Sequence, residues 1–233
     1  MIKMVVSSFY NTLINKEEAI DMSTMLEIDR IRNEKVLFTI STNGLYKEIL
    51  DYNKDFPFVD YIISLNGSYI YDVLKDKCIY KQKIAKIDVK KIYNSFKKYK
   101  IYYYTEDTIL TNYNETLNKN IYKIEIEDIK EKIIKNLKCN LSILEKNNKQ
   151  YLEIISNKCN TYIGLLEILK ENNIKNNEIL SIIGNESDIT ILNNISNTYI
   201  VENSIEKLNL KNIKKTSSNN DKGVEKILKC KIV

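Results

Sequence analysis

Histidine and tryptophan are absent from the 233-residue sequence. Without histidine, the chain cannot form a Ser-His-Asp or Cys-His catalytic arrangement, nor a histidine-ligated metal site. The four cysteines are widely spaced and form no CxxC motif, which argues against a structural zinc site and indicates reduced thiols. Any catalysis would have to use carboxylates, lysine, tyrosine, serine, threonine or cysteine.

Proline occurs once and glycine five times, so long flexible linkers are not expected. No apolar run has the length of a membrane span or a signal-peptide core, and we expect a cytoplasmic protein without a membrane partner. The net charge of +5 comes from interspersed lysines and acids, and arginine is limited to Arg30 and Arg32. This pattern is typical of solvated faces and predicts no nucleic-acid partner.

Apolar runs alternate with amphipathic stretches at both ends of the chain. The predicted strands are 2–6, 36–40, 61–63, 179–183 and 198–201, and the predicted helices are 17–32, 46–52, a stretch from Thr161, a short one around Ile191 and a last one ending near Leu228. This order is typical of a parallel α/β sheet. Small polar residues follow these strands, so we expect a polar pocket at the carboxyl edge of the sheet.

The middle of the chain follows a different pattern. The predicted elements are a helix at 87–98, strands at 101–104, 108–111 and 122–126, a helix beginning at Asp128 with Ile129, Ile133, Ile134 and Leu137 on its apolar face, and a hairpin of 141–144 and 151–155 around 146–148. The strand 122–126 alternates polar and apolar residues, which predicts that one face is exposed. These elements predict a small α+β unit with an antiparallel sheet, inserted between the two parts of the parallel sheet.

Four segments follow predicted strands in a fixed order: 38–46 (FTISTNGLY), 64–72 (SLNGSYIYD), 186–192 (ESDITIL) and 216–224 (TSSNNDKGV). They resemble the motifs F-V-I-A-T-G-R-P-Y, N-G-A-x-I-Y-D, E-N-D-I-P-M-L and T-x-S-N-D-E-D-G-V of the haloacid dehalogenase superfamily, in its Cof-like sugar-phosphatase branch with a type II cap. The resemblance runs the full length of the chain. It implies an α/β fold with a Rossmannoid parallel-sheet core, residues 1–74 and 156–233, and an inserted α+β cap, residues 75–155.

Members of that superfamily carry a D-x-D-G-T turn after the first strand. The resemblance implies a nucleophilic Asp, a second Asp as general acid/base, and a lysine and further Asp residues that hold phosphate and Mg²⁺. Here Ser8 stands at the nucleophile position and Tyr10 at the acid/base position. Tyr162 stands at the lysine position, Gly184 replaces the first metal carboxylate, and Asp188 keeps the second.

These groups are missing together, which predicts that the family's usual phosphatase turnover is absent. Ser8 is an alcohol that needs a base, and its turn is more simply interpreted as a strand-to-helix connection with packed aromatic side chains. Asp188 alone is a weak site for Mg²⁺, and its use as a helix N-cap is the preferred interpretation. Lys158 is the nearby substitute for the missing lysine.

Other strand ends offer possible ligand contacts. Thr42 and Asn43 either contact an anion at a helix N-terminus or cap that helix. Asn66 and Gly67 form either a ligand-facing turn or a plain tight turn. By the resemblance, Asn203 occupies a turn that faces the pocket.

Three functional hypotheses remain. The leading one is a catalytically degenerate pseudophosphatase that binds a small phosphorylated or anionic metabolite. The first alternative is a weak or rewired Mg²⁺-dependent phosphatase of small sugar-phosphate-like substrates, which would use Asp188 and Lys158. The second alternative is a protein-interaction module that binds a protein partner through its cap.

Overall fold

The computed structural model describes residues 1–54, 56–129, 137–146, 149–208 and 213–232. The strands of this part are β1 (Met4–Ser8), β2 (Leu37–Ser41), β3 (Tyr61–Ser64), β4 (Tyr69–Asp72), β5 (Lys77–Lys81), β6 (Ile101–Tyr104), β7 (Ile109–Leu110), β8 (Lys123–Glu127), β9 (Cys139–Lys146), β10 (Lys149–Ser156), β11 (Ile179–Ile183), β12 (Thr198–Val201) and β13 (Lys214–Thr216). The α-helices are α1 (Met22–Asn33), α2 (Tyr46–Asn53), α3 (Lys86–Phe96), α4 (Tyr113–Thr116), α5 (Thr161–Asn172), α6 (Ile189–Leu192), α7 (Glu202–Leu208) and α8 (Gly223–Lys231).

The larger sheet has eight strands in the order β13-β12-β11-β1-β2-β3-β4-β5. The strands from β13 to β3 are parallel, and β4 and β5 extend the sheet as antiparallel edge strands. Residues of β1 are fully buried because helices cover both faces: Val5 packs with α1, α2 and α8, and Met4 and Val6 pack with α5 and α6. This arrangement confirms the predicted α/β core.

The smaller sheet has five antiparallel strands in the order β7-β6-β8-β10-β9. Its apolar face packs against α3, where Val89, Ile92 and Phe96 meet side chains such as Ile124 and Ile154. The opposite face lies against the large sheet, and Tyr104 belongs to the apolar cluster of that sheet. The predicted α+β unit with an antiparallel sheet is therefore confirmed.

Two local predictions are wrong. The first helix begins at Met22 rather than Glu17, because the Asn15 side chain accepts the amides of Glu17 and Ala19 and holds this segment in a turn. The strand β8 is buried on both faces, not half exposed, because its polar face is covered by the large sheet.

Several elements were not predicted, namely β4, β5, β13, α4 and α7. Most of the helix expected after Asp128, including Ile133 and Ile134, lies outside the described residues, and so do Asn147 and Asn148 of the expected hairpin turn. In the part of the chain that the structure describes, no helix is long and apolar enough to cross a bilayer.

Candidate active site

The turn after β1 is a single wide loop that closes back on itself. The amide of Ile14 donates to the carbonyl of Phe9 over 3.2 Å, and Asn11 adopts a left-handed conformation with φ of 59°. Phe9 is fully buried, and its ring meets that of Tyr10 edge to face. The turn points Ser8 into the protein rather than toward solvent, since Ser8 has no exposed surface.

Ser8, Ser41, Thr161, Gly184 and Asp188 form the Asp188 cluster at the carboxyl edge of the large sheet. The Ser8 hydroxyl donates to Asp188 Oδ2 over 2.5 Å, and the Ser41 hydroxyl donates to the same oxygen over 3.0 Å. The amide of Gly184 donates to Ser8 Oγ over 3.3 Å. Three strand ends, those of β1, β2 and β11, therefore converge on one carboxylate.

Burial raises the pKa of Asp188 above its ordinary value, and the hydroxyls of Ser8, Ser41 and Thr161 partly offset this by stabilising the charged form. Asp188 stands at the expected N-cap position of α6, but its side chain makes no hydrogen bond to that helix. Its carboxylate is instead the acceptor for the hydroxyls of Ser8 and Ser41, while the Thr161 hydroxyl donates to the Ser187 carbonyl over 3.0 Å.

This cluster does not fit Mg²⁺. The ion prefers near-octahedral oxygen ligands and retains several waters, whereas Asp188 is 2% exposed and one of its oxygens already accepts two hydroxyl protons. Among the described residues, no group of three or more Asp, Glu, Cys or His could hold a metal ion.

Gly184 sits in a space that is already filled. A Cβ at this position would lie 2.4 Å from Thr12 Oγ1, 2.8 Å from Ser204 Oγ and 2.9 Å from Val201 Cγ2. Such contacts are too short for any side chain without movement of its neighbours. A carboxylate at this position therefore requires the Thr12, Ser204 or Val201 side chain to move.

Tyr10 and Tyr162 both find partners away from Asp188. The Tyr10 hydroxyl donates to Glu48 Oε2 over 2.9 Å, and burial together with the Glu48 charge raises the pKa of Tyr10. The Tyr162 hydroxyl accepts from Asn176 over 2.7 Å. Thr161, not Tyr162, is the α5 residue that reaches the cluster.

Lys158 lies in the turn before α5 and is exposed. Its carbonyl accepts from Tyr80, and its amide donates to Ser156 Oγ. No contact links it to Asp188 in the described residues. The structure therefore does not bring Lys158 to the place where a substitute lysine was expected.

In the two candidate turns, which follow β2 and β3, Thr42 and Asn66 make hydrogen bonds within the protein. Thr42 Oγ1 accepts from the Gly44 amide over 3.0 Å, so it closes its own turn and does not cap α2. The Asn66 amide donates to Glu153 over 3.1 Å. Gly67 has φ of 89°, and a Cβ there would lie 2.1 Å from the Asn160 carbonyl oxygen. Only Gly allows this close approach of the turn to α5.

The Asn203 side chain links two loops by hydrogen bonds. Its amide donates to the Asn11 carbonyl over 2.9 Å, and its side-chain oxygen accepts from the Asn219 amide over 3.0 Å. These contacts hold the turn after β1 against the segment before α8. The structure places Asn203 at the edge of the candidate site, with both ends of its side chain occupied.

Sequence reasoning missed a second group, the Lys123 cluster, formed by Tyr104, Lys123, Glu125 and Glu153. The ammonium of Lys123 is fully buried and contacts Glu125 over 2.5 Å and Glu153 over 3.1 Å. It also donates to the carbonyl of Asn43 over 2.6 Å, which joins the small sheet to the large one. The ammonium lies 4.3 Å from the centre of the Tyr104 ring.

The strand register explains why this lysine is needed. Glu125 of β8 and Glu153 of β10 are directly opposite each other, an arrangement of like charges that is unfavourable in a sheet. Burial lowers the pKa of Lys123, but the charges of Glu153 and Glu125 outweigh it and raise that pKa overall. The lysine therefore stays charged and compensates both carboxylates.

The cleft that remains between the sheets is small. It is lined by Asn43, Glu153 and Gly184, among others, and its volume is about 20 Å³. A single water molecule requires roughly 10–15 Å³ on this measure, and pockets for small organic ligands measure ~300 Å³ or more. The site in this conformation has room for a water molecule and not for a sugar phosphate.

Solved structures with the same architecture are numerous. The chain aligns over 100% of its length with 100% of a haloacid dehalogenase-like hydrolase from B. subtilis, at 14% identity and a TM-score of 0.86. It aligns over 98% of its length with 98% of the subclass IIB sugar phosphatase BT4131, at 17% identity and a TM-score of 0.84. It also aligns over 100% of its length with 98% of TM0651 from Thermotoga maritima, at 19% identity and a TM-score of 0.81. At these identities the likeness establishes the fold.

Comparison with curated proteins gives no match. The model of the haloacid dehalogenase-like hydrolase family matches residues 9–126 and 106–228, which overlap and span most of the chain. Both segments include elements of the two sheets described above. The chain therefore belongs to the haloacid dehalogenase-like hydrolases, and its fold is that of their subclass IIB.

Proposed function

We propose that this chain is a pseudophosphatase, a family member that no longer hydrolyses phosphate esters by an aspartyl-phosphate route. The observation that carries the proposal is the position of Ser8. Its hydroxyl is buried and donates to Asp188 over 2.5 Å, where the resemblance expects a carboxylate nucleophile. A nucleophile must be reached by its substrate, and the Ser8 side chain has no exposed surface.

Three further observations support the loss of turnover. Gly184 leaves no space for a second carboxylate, and Tyr10 is paired with Glu48 rather than free to exchange a proton. Thr161 brings a hydroxyl, not an ammonium, to the cluster. Among the described residues, the side chains that contact Asp188 are hydroxyls, which carry no positive charge to stabilise a transferring phosphoryl group.

The test is hydrolysis of a panel of phosphorylated sugars, with and without Mg²⁺, by the full chain. We expect no difference between the unchanged chain and Ser8→Ala, at any Mg²⁺ concentration. The matched control is Ser7→Ala, which removes a neighbouring buried hydroxyl that donates only to the Ser8 carbonyl. Mg²⁺-dependent turnover that Ser8→Ala or Asp188→Asn abolishes, and that Ser7→Ala leaves intact, would overturn the proposal.

A rewired phosphatase is the second candidate, and the donation of the Ser8 hydroxyl to Asp188 supports it. Asp188, whose pKa is raised by burial, is placed to accept the Ser8 proton. Such an enzyme would require the small sheet to move, since Lys123 closes the site through Asn43. Hydrolysis by Lys123→Met that exceeds that of the unchanged chain would support this candidate over the first.

The division into two domains remains a proposal of ours, with one change to its boundary. The predicted cap, 75–155, begins with a segment that includes β5. This strand pairs with β4 and so belongs to the large sheet. We place the start of the cap after Lys81 and its end near Ser156, where β10 ends. The interaction of a protein partner with this cap stays a prediction.

A further inference from the structure

A cavity of about 180 Å³ lies beside the small sheet, away from the Asp188 cluster. It is lined by α3, by α4, and by the two segments that connect the sheets, near Ile84 and near Ile121. The amide of Ile84 donates to the carbonyl of Ile121 over 2.8 Å, so these two segments run side by side along the cavity. No residue of the Asp188 cluster lines it.

The base of the cavity is apolar. Ile84, Val89, Leu117 and Ile121 contribute to it, together with the ring of Tyr113. That ring is fixed by Tyr93, which stacks on it with the centroids 4.0 Å apart. A cavity of ~150 Å³ lined by apolar side chains accepts a benzene ring, so this one accommodates a single ring with a small substituent.

Four lysines also line the cavity, and no carboxylate does: Lys83, Lys86, Lys90 and Lys119. Lys83 donates to Asn120 Oδ1 over 3.0 Å and Lys86 to the Leu117 carbonyl over 3.1 Å, so their partners are neutral. Within the described residues, none of the four takes part in a salt bridge. Their charges are therefore left to attract an anion.

We propose that this cavity binds a small organic anion consisting of one apolar ring and a phosphoryl group. The apolar base takes the ring, and the lysines take the charge. A phosphoryl group carries about −1.5 to −2 at neutral pH, which suits several lysines better than the single charge of a carboxylate. This inference is independent of the proposed loss of hydrolysis, because it concerns a different part of the chain.

The experiment is a titration of the full chain with phenyl phosphate, followed by NMR of the isoleucine, leucine and valine methyl groups. We expect saturable shifts concentrated at Ile84, Val89, Leu117 and Ile121. Phenol, which lacks the charge, and inorganic phosphate, which lacks the ring, should each bind at least tenfold more weakly. The readout maps the site, so binding at the Asp188 cluster would be recognised by its own methyl shifts.

The double variant Lys86→Gln with Lys90→Gln should weaken phenyl phosphate binding at least tenfold, since both side chains are exposed and the fold should persist. The matched control, Lys97→Gln with Lys98→Gln, removes the same charge from the segment just after α3 and should leave binding within twofold. The proposal fails if phenyl phosphate does not bind. It also fails if the shifts map elsewhere, or if both double variants weaken binding equally.

Discussion

The molecule contains two buried polar clusters, and each stabilises buried charge in a different way. In the Asp188 cluster, one carboxylate without a counter-charge accepts hydrogen bonds from the hydroxyls of Ser8 and Ser41, at the ends of two strands. In the Lys123 cluster, one ammonium lies between two carboxylates and a carbonyl. Hydroxyls compensate a charge only partly, which is why the pKa of Asp188 is raised, whereas opposite charges compensate each other.

The two clusters also differ in reach. The Asp188 cluster belongs to the large sheet and α5, so it stabilises one layer of the structure. The Lys123 cluster joins both sheets, because the ammonium of β8 donates to the Asn43 carbonyl that follows β2. Changes to the second cluster should therefore affect both stability and the relative placement of the sheets.

The largest effect is expected from Lys123→Met, which keeps the length of the side chain and removes its charge. Glu125 and Glu153 are then left buried without a counter-charge, which costs about 3–5 kcal/mol. Urea denaturation measures the loss in the free energy of unfolding. Lys100→Met, which removes an exposed lysine near Glu127, is the control and should cost less than about 1 kcal/mol. Equal losses in the two variants would mean that the Lys123 cluster contributes no special stability.

The next largest effect is expected from Tyr104→Phe. This change removes the hydroxyl that donates to Glu125 over 2.6 Å in a buried setting, and should cost about 1.5–3 kcal/mol. Tyr102→Phe is matched to it, because the Tyr102 hydroxyl donates to Glu127 over 2.8 Å near the surface. We expect its cost to be below about 1 kcal/mol by the same denaturation measurement. A reversed order would contradict the difference in burial on which the comparison rests.

Gly184→Ala tests the packing beside Asp188. The added methyl group meets Thr12 Oγ1, and overpacking of this kind costs about 1–3 kcal/mol. Thr12 Oγ1 is buried and has no hydrogen-bond partner, so Thr12→Ala alone should be nearly neutral. The double variant should then recover at least half of the loss, as a double-mutant cycle would show. Strictly additive effects would exclude the clash as the cause.

The smallest effect is a slope with pH. Because the pKa of Asp188 is higher in the folded than in the unfolded state, its stabilising contribution is present at low pH and falls as pH rises above about 4. The side chain in Asp188→Asn cannot ionise. The free energy of unfolding of this variant should therefore increase relative to that of the unchanged chain as pH rises toward 7. Denaturation at several pH values measures this, and parallel curves would contradict the raised pKa.

The order of strands and helices could be predicted from the sequence because it depends on local periodicity. The strands at 179–183 and 198–201 and the helix from Thr161 have the predicted bounds. The edge strands β4 and β5 were missed, since an antiparallel extension depends on pairing with β3 rather than on a local pattern. Short elements such as α4 carry too few residues for a periodicity.

The site was harder to predict than the fold. The convergence of Ser8 and Asp188 follows from motif positions, but the buried direction of the Ser8 side chain depends on the wide turn at 9–13. One sequence pattern could have indicated the Lys123 cluster. Lys123 and Glu125 alternate with apolar residues in β8, and Glu153 lies between apolar residues of β10. That alternation indicated an exposed face, and only the contact between the sheets shows that the face is buried.

The filled space at Gly184 also bears on how this chain can change over evolutionary time. A carboxylate fits at that position only after Thr12, Ser204 or Val201 has made room for it. An aspartate at position 8 would likewise place a second acid beside the buried Asp188, against a strong like-charge penalty. Each substitution that introduces a family carboxylate into this cluster therefore begins with a loss of stability.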